Sequence, residues 1–307
     1  MGEFRINIRL IKRGHSGIVV LILFTILGCE SYSQSTRHRS LDSAFNYIYE
    51  YRLKTAEKFI AERYNQYPSD PAWSMMMVNL SWAYLVSGFM EDEHWNQTFD
   101  QYLDRTEKII AETKFTNNEH HFLYMLGKAF KTRKELLLEN YLSAVTELNS
   151  CIHLVSKSFG KEDLYFPFHL TSGLYYYFMQ KAYEDYILMR PYLMFYPDGD
   201  KEIGVDYLEQ CVRSEDLFLR NEAQYFLMRI YFDLEEQYEK SLQYANSLVR
   251  DYPNNVVFRY FLYQSLTKLN RTEEADEQLN RLKHSISLNP ELTPSQKSYI
   301  MHEFEIN

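Results

Sequence analysis

From Ser40 to the end of the chain, apolar residues recur at steps of three and four. Ala275, Leu279, Leu282 and Ile286 form one such series, and Leu242, Ala245, Leu248 and Val249 form another. This spacing places the apolar side chains on one face of an α-helix. Strand-like alternation of apolar and polar residues is absent over any comparable length, so the pattern predicts an all-α protein. A last helix is expected after Leu292, where Thr293-Pro294-Ser295-Gln296 reads as a capping box with proline at the first helical position. Ile300 and Phe304 give that helix an apolar edge, and Lys297, His302, Glu303 and Glu305 a wet one.

The first residues follow a different pattern. Arg5, Arg9, Lys12 and Arg13 lead into an apolar run from Gly17 to Leu27. A helix needs roughly 20 apolar residues to span a bilayer, so this run is too short and has the length of a signal-peptide core. The chain is therefore expected to be exported, with residues 1–28 as the signal peptide. Two processing sites compete. Ile26-Leu27-Gly28-Cys29 resembles the lipobox of bacterial lipoproteins, in which Cys29 is lipidated and becomes the new N-terminus. Ser31-Tyr32-Ser33 before Gln34 instead suits ordinary signal peptidase, with the signal running to residue 33. The first reading places the protein on a membrane, by expectation the outer membrane at its periplasmic face. The second leaves it soluble in the periplasm. Residues 29–40 are polar and without periodicity, and read as a tether; residues 41–307 form the body.

Within the body the pattern repeats. Asp251-Tyr252-Pro253-Asn254-Asn255 closes one helix as Gln66-Tyr67-Pro68-Ser69-Asp70 closes another, and Ala275 follows Ser241 by one repeat length. A period of about 34 residues, helix-turn-helix with small residues at fixed places, resembles the tetratricopeptide repeat. Six units can be followed. They carry Ala44, Tyr47, Ala56 and Ile60 in the first; Leu80-Ser81-Trp82-Ala83-Tyr84 and Gly88 in the second; and Leu126-Gly127, Ala129-Phe130 and Ala144 in the third. The fourth has Gly173, Tyr176, Gly204 and Leu208 around a long insertion; the fifth Met228, Phe232, Ser241 and Ala245; the sixth Leu262, Leu266, Ala275 and Leu279. Small residues recur where the second helix of a unit should cross the first: Ala56, Ala144, Gly204, Ser241 and Ala275. Arg229 and Tyr263 depart from the pattern, standing where a small residue is usual. The second helix of the second unit, about 93–113, is degenerate.

The resemblance implies a right-handed α-solenoid of about six helix pairs with a C-terminal capping helix. It also implies a groove, lined by the first helix of each pair, that takes a protein or peptide partner. The matching positions here are His121, Tyr124, Lys128 and Lys131 in the third unit, Leu174 and Tyr177 in the fourth, and Tyr260, Gln264 and Thr267 in the sixth. Lys128 and Lys131 could clamp a carboxylate such as a chain terminus, or simply form a solvated face.

Composition narrows the function further. Tyr numbers 27 and Phe 20, against only 10 Gly and 8 Pro, which favours long packed helices. The formal charge is −9; residues 1–28 contribute +3, so the remainder carries −12. Such acidity argues against a nucleic-acid groove and against an anionic membrane surface. No nucleophile elbow, P-loop, dinucleotide fingerprint or His-Glu-x-x-His motif occurs, and no cofactor is expected. Cys151 and Cys211 fall at core-facing positions and read as buried thiols. Pro197-Asp198-Gly199-Asp200 reads as a turn whose Asp200 caps the next helix. The aromatic-rich stretch 165–196 is either thick core or a binding wall.

The expected function is thus a non-enzymatic envelope scaffold for a protein or peptide partner. The alternative is a solute- or glycan-binding lipoprotein using residues 165–196. The two processing readings are separable: lipidation at Cys29 predicts palmitate labelling that Cys29→Ser abolishes, whereas cleavage after Ser33 predicts an unlabelled protein whose N-terminal sequence begins at Gln34.

Overall fold

The computed structural model describes residues 32–112 and 117–305. Among the described residues there are fourteen α-helices and no strand. They are α1 Tyr32–Tyr49, α2 Leu53–Gln66, α3 Pro71–Tyr84, α4 Glu93–Glu112, α5 Asn118–Leu137, α6 Tyr141–Ser156, α7 Phe168–Asp185, α8 Arg190–Leu193, α9 Lys201–Val212, α10 Leu217–Arg229, α11 Tyr238–Asp251, α12 Val256–Lys268, α13 Thr272–Leu288 and α14 Pro294–Glu303. Cys29 and the apolar run before it lie outside the described residues. The stretch 29–40, expected as a tether, is helical from Tyr32 onward. The cause is downstream: Leu41, Ala44, Phe45 and Ile48 are buried at helical spacing, and a helix fixed by packing extends into its polar first turns. The degenerate second helix of the second unit is a full helix, α4, with Trp95, Phe99, Leu103, Thr106, Ile109 and Ile110 buried.

Consecutive helices pack in pairs: α1 with α2, α3 with α4, α5 with α6, α7 with α9, α10 with α11, and α12 with α13. The two members of a pair differ in burial. α3 buries 13 of its 14 residues and its partner α4 only six of 20, so the first helices are immersed and the second helices cover them with one apolar stripe. The small residues at the expected crossings, Ala56, Ala144, Gly204, Ser241 and Ala275, are all buried. At Gly204 the reason is visible: an added Cβ would lie 2.6 Å from the Tyr177 backbone nitrogen and 2.8 Å from the Gly173 carbonyl. α9 rests directly on the backbone of α7.

One turn recurs between paired helices. Tyr51, Glu139, Glu236 and Asn270 each adopt a left-handed conformation, φ 52° to 61°, between the two members of a pair. After three of them the next N–H reaches back five residues: Arg52 to the Tyr47 carbonyl, Asn140 to Glu135 and Arg271 to Leu266, at 2.8 to 3.0 Å. This is the Schellman closure of a helix, made without glycine at a cost of roughly 1–2 kcal/mol each. In the second pair the positive-φ residue is Gly88, φ 108°, inside a wide turn over Leu85–Phe89.

The two ends of the described chain meet. α1 packs on α10, and the α1–α2 turn is bound by distant residues. Asn255 donates to the Tyr49 carbonyl at 2.8 Å and Asn289 to that of Tyr51 at 3.2 Å. Glu291 accepts from the backbone N–H and hydroxyl of Thr55 at 3.1 and 2.6 Å. α14 begins with the predicted capping box, buries Ile300, and lays Tyr299 on Gly88. A Gly204→Ala variant should lose about 1–3 kcal/mol of stability through overpacking, read as a lowered midpoint in urea denaturation. An unchanged midpoint would mean that α9 can stand off α7 at no cost.

Candidate functional site

The expected groove residues of α5 share one stripe. Asn117 caps the helix by accepting from the His120 N–H at 2.7 Å. Phe122, Leu123, Leu126 and Phe130 then turn inward, which leaves His121, Tyr124, Lys128 and Lys131 half-buried or exposed at steps of three and four. The stripe runs between the covering helices α4 and α6. Lys128 Nζ lies 3.0 Å from Glu107 of α4 and 3.3 Å from Glu147 of α6, and 5.3 Å from the centre of the Tyr124 ring. Lys131 Nζ is 2.9 Å from the same Glu147. Burial pushes the Lys128 ammonium down, but the carboxylates outweigh it and hold it above its usual range. Both lysine charges are therefore met within the chain. His121 Nε2 pairs with the Leu154 carbonyl at 3.1 Å, and burial lowers its pKa.

The remaining groove residues stand against other elements. Tyr177 is 1% exposed, and its hydroxyl donates to Glu235 at 2.5 Å. Leu174 is buried too. Tyr260 is half-buried beneath Phe304, the residue after α14, ring centres 4.5 Å apart; Gln264 is half-buried on α12 and Thr267 exposed. Leu174, Tyr177 and Tyr260 thus pack against neighbouring elements, whereas Thr267 faces solvent.

A polar cluster that the sequence reading missed joins α1, α5 and α10. Glu222, 3% exposed, accepts from the Tyr49 hydroxyl at 2.5 Å, and its Oε2 receives no hydrogen bond. Burial raises the Glu222 carboxyl well above the usual range, against the lowering pull of Tyr49 and Arg133. Burial also pushes the Arg133 guanidinium down to about 10, and this group lies 4.5 Å from the centre of the Trp82 ring. Arg229, where a small residue was expected, bonds Asp233 at 2.5 Å and the Tyr225 hydroxyl at 3.0 Å, and covers the Phe261 ring. Of this group only Arg229 departs from the repeat pattern; Glu222 and Arg133 stand at positions where the pattern sets no residue type.

Cys151 and Cys211 are free and buried, and burial pushes the Cys151 thiol up to about 12. Asp200 caps α9 by accepting from Glu202 and Ile203 N–H groups at 2.9 and 3.0 Å. Among the described residues no group of three or more His, Cys, Asp and Glu could hold a metal ion, and no helix is long and apolar enough to cross a membrane. A cleft of about 260 Å³ between α2 and α4 is lined by Tyr64, Gln101, Tyr102 and Arg105, with Lys108 at its edge.

The aromatic-rich stretch divides in two. Tyr175, Tyr177 and Phe178 are core. Beyond Asp185 the chain forms an arm, Ile187–Phe195, that carries Leu188 95% and Phe195 85% exposed, with Ile187 and Met194 also out. Beside it, α6 exposes Leu142 at 88% and Val145 at 57%. Asn149, one turn further along the same face of α6, bonds the Tyr192 hydroxyl at 2.8 Å and accepts from Tyr196, so the arm is fastened to the face of α6 that carries Leu142 and Val145. The chain matches no family model, no curated protein and no solved structure.

The Glu222 cluster predicts a pH dependence. A carboxyl raised on folding contributes stability that is complete below its unfolded value of about 4.3 and is lost as pH climbs toward the folded value. Glu222→Gln keeps an acceptor for Tyr49 and cannot ionise. Its stability relative to the parent should therefore grow between pH 5 and pH 8 in urea titrations; parallel profiles would show that Glu222 does not titrate with folding.

Proposed function

We propose that the protein is a non-enzymatic scaffold of the cell envelope, a right-handed α-solenoid of tetratricopeptide type that holds a protein partner. The observation that carries this reading is the apolar face of α6 and the 187–195 arm. Isolated apolar side chains on a surface are ordinary, but a contiguous face of this kind marks an interaction site. The repeat assignment draws support from the recurring left-handed turn and from the small residues buried at five crossings. The envelope location rests on the Arg5–Leu27 export signal, with Cys29 as the proposed lipid anchor. Docking on the apolar face replaces the groove on α5, whose lysines are already paired. The alternative reading, a glycan- or solute-binding lipoprotein on residues 165–196, is disfavoured by the burial of Tyr175, Tyr177 and Phe178.

The test is affinity isolation from detergent-solubilised envelopes of cells that express a tagged and an untagged copy, so that a partner of identical sequence is also scored. A stoichiometric protein partner is expected with the parent chain. It should be lost with Val145→Asp combined with Phe195→Asp, two changes at exposed positions. No stoichiometric protein with the parent would sink the scaffold reading.

A further inference from the structure

We infer that the apolar face pairs two copies of this chain about a two-fold axis. The inference rests on the reading of that face as the docking surface, and names its occupant. A two-fold interface must be self-complementary: what one copy projects, the same patch on the other must receive. This face carries both parts. The arm projects Leu188 and Phe195, while α6 offers Leu142 and Val145 as a shelf beside it. Asn149, through Tyr192 and Tyr196, fixes the arm against the shelf helix.

The arm is also held before any partner arrives. Arg190 Nε donates to the Tyr183 carbonyl at 2.8 Å, and the Met194 and Tyr196 N–H groups close on Arg190 and Leu193 at 3.1 and 3.0 Å. Docking therefore orders little that was not already ordered, which keeps its entropic cost low.

Area and charge agree with a second copy. A stable interface takes about 800 Å² from each partner. Leu142, Val145, Ile187, Leu188, Met194 and Phe195 remain 57–95% exposed; Phe195 alone can bury on the order of 150–250 Å², and the five aliphatic side chains add to it toward that scale. The chain is strongly acidic, so most approaches of two copies bring carboxylates together. Residues 186–197 contain no acid and one base, Arg190. On α6 between Tyr141 and Asn149 the only acid is Glu147, which Lys128 and Lys131 neutralise. The nearest other acids in sequence, Glu139, Asp185 and Asp198, flank these segments rather than lie within them, so two acidic copies meet with fewer opposed carboxylates here than elsewhere on the chain.

A photoreactive benzophenone side chain in place of Leu188, activated in intact cells, tests the inference. The expected adduct has twice the mass of the chain. Sedimentation equilibrium of the purified chain should show a monomer–dimer equilibrium whose dissociation constant rises about tenfold or more with Leu142→Glu or with Leu188→Glu, since each buries an unpaired carboxylate on association. Circular dichroism should be unchanged, because both positions are exposed. An adduct to a different protein, or to lipid alone, overturns self-pairing; the former leaves the scaffold reading standing. A purified chain that stays monomeric at all concentrations also overturns self-pairing. No adduct of any kind overturns both readings.

Discussion

The backbone of the α1–α2 turn imposes the constraint on which the rest of the structure depends. With Tyr51 in a left-handed conformation, the carbonyls of Tyr49 and Tyr51 leave the helix end. Buried carbonyls must find donors. Theirs are the side-chain amides of Asn255 and Asn289, 206 and 238 residues away. The same joint supplies Asn46 as acceptor for Tyr252 and Glu50 as acceptor for Asn254, at 2.9 and 2.8 Å. A stack of helix pairs could have remained open; here its first pair is fastened to its fifth and sixth, with α1 lying on α10 of the fifth.

Enclosure explains the interior chemistry. Once α1 lies on α10, the side of α10 that would face solvent in an open stack is shut, and Glu222 is shut in with it. A buried carboxyl is tolerated where it can stay protonated or find partners, and Tyr49 supplies one from the element that closes the lid. Tyr252 serves α1 and α10 together, donating to Asn46 and accepting from Asn221 at 2.6 Å. Polar groups thus join surfaces that apolar packing alone would leave free to slide, since each bond has one geometry and its loss leaves an unpaired group.

Much of the local structure was legible in the sequence. Helical spacing located the elements, the capping box at Thr293 marked α14, and the small residues identified where helices touch. Each of these is a local rule read from neighbours in sequence. The Asp198-Gly199-Asp200 string was also read correctly at Asp200, but the need for Gly199 was not: an added Cβ there would lie 2.1 Å from the Gln180 backbone nitrogen. Contacts between residues two hundred positions apart follow no period, so the closure was invisible. Sequence distance also hides the surroundings of the expected groove residues. Tyr177 was expected in a groove, yet the turn carrying Glu235 brings a partner over its hydroxyl. The exposed arm was seen only as part of an aromatic-rich stretch, because composition cannot separate the rings that point inward at 175–178 from the apolar tips left outside at 187–195.

The closure also limits how this chain could vary in length. Arrays of stacked repeats ordinarily gain or lose a unit with little penalty, because each unit touches only its neighbours. In this chain Glu291 must reach Thr55, and Asn289 must reach Tyr51. One pair more or fewer would carry those donors and acceptors past one another. Among the described residues the number of helix pairs is therefore tied to the bonds that join the first pair to the last.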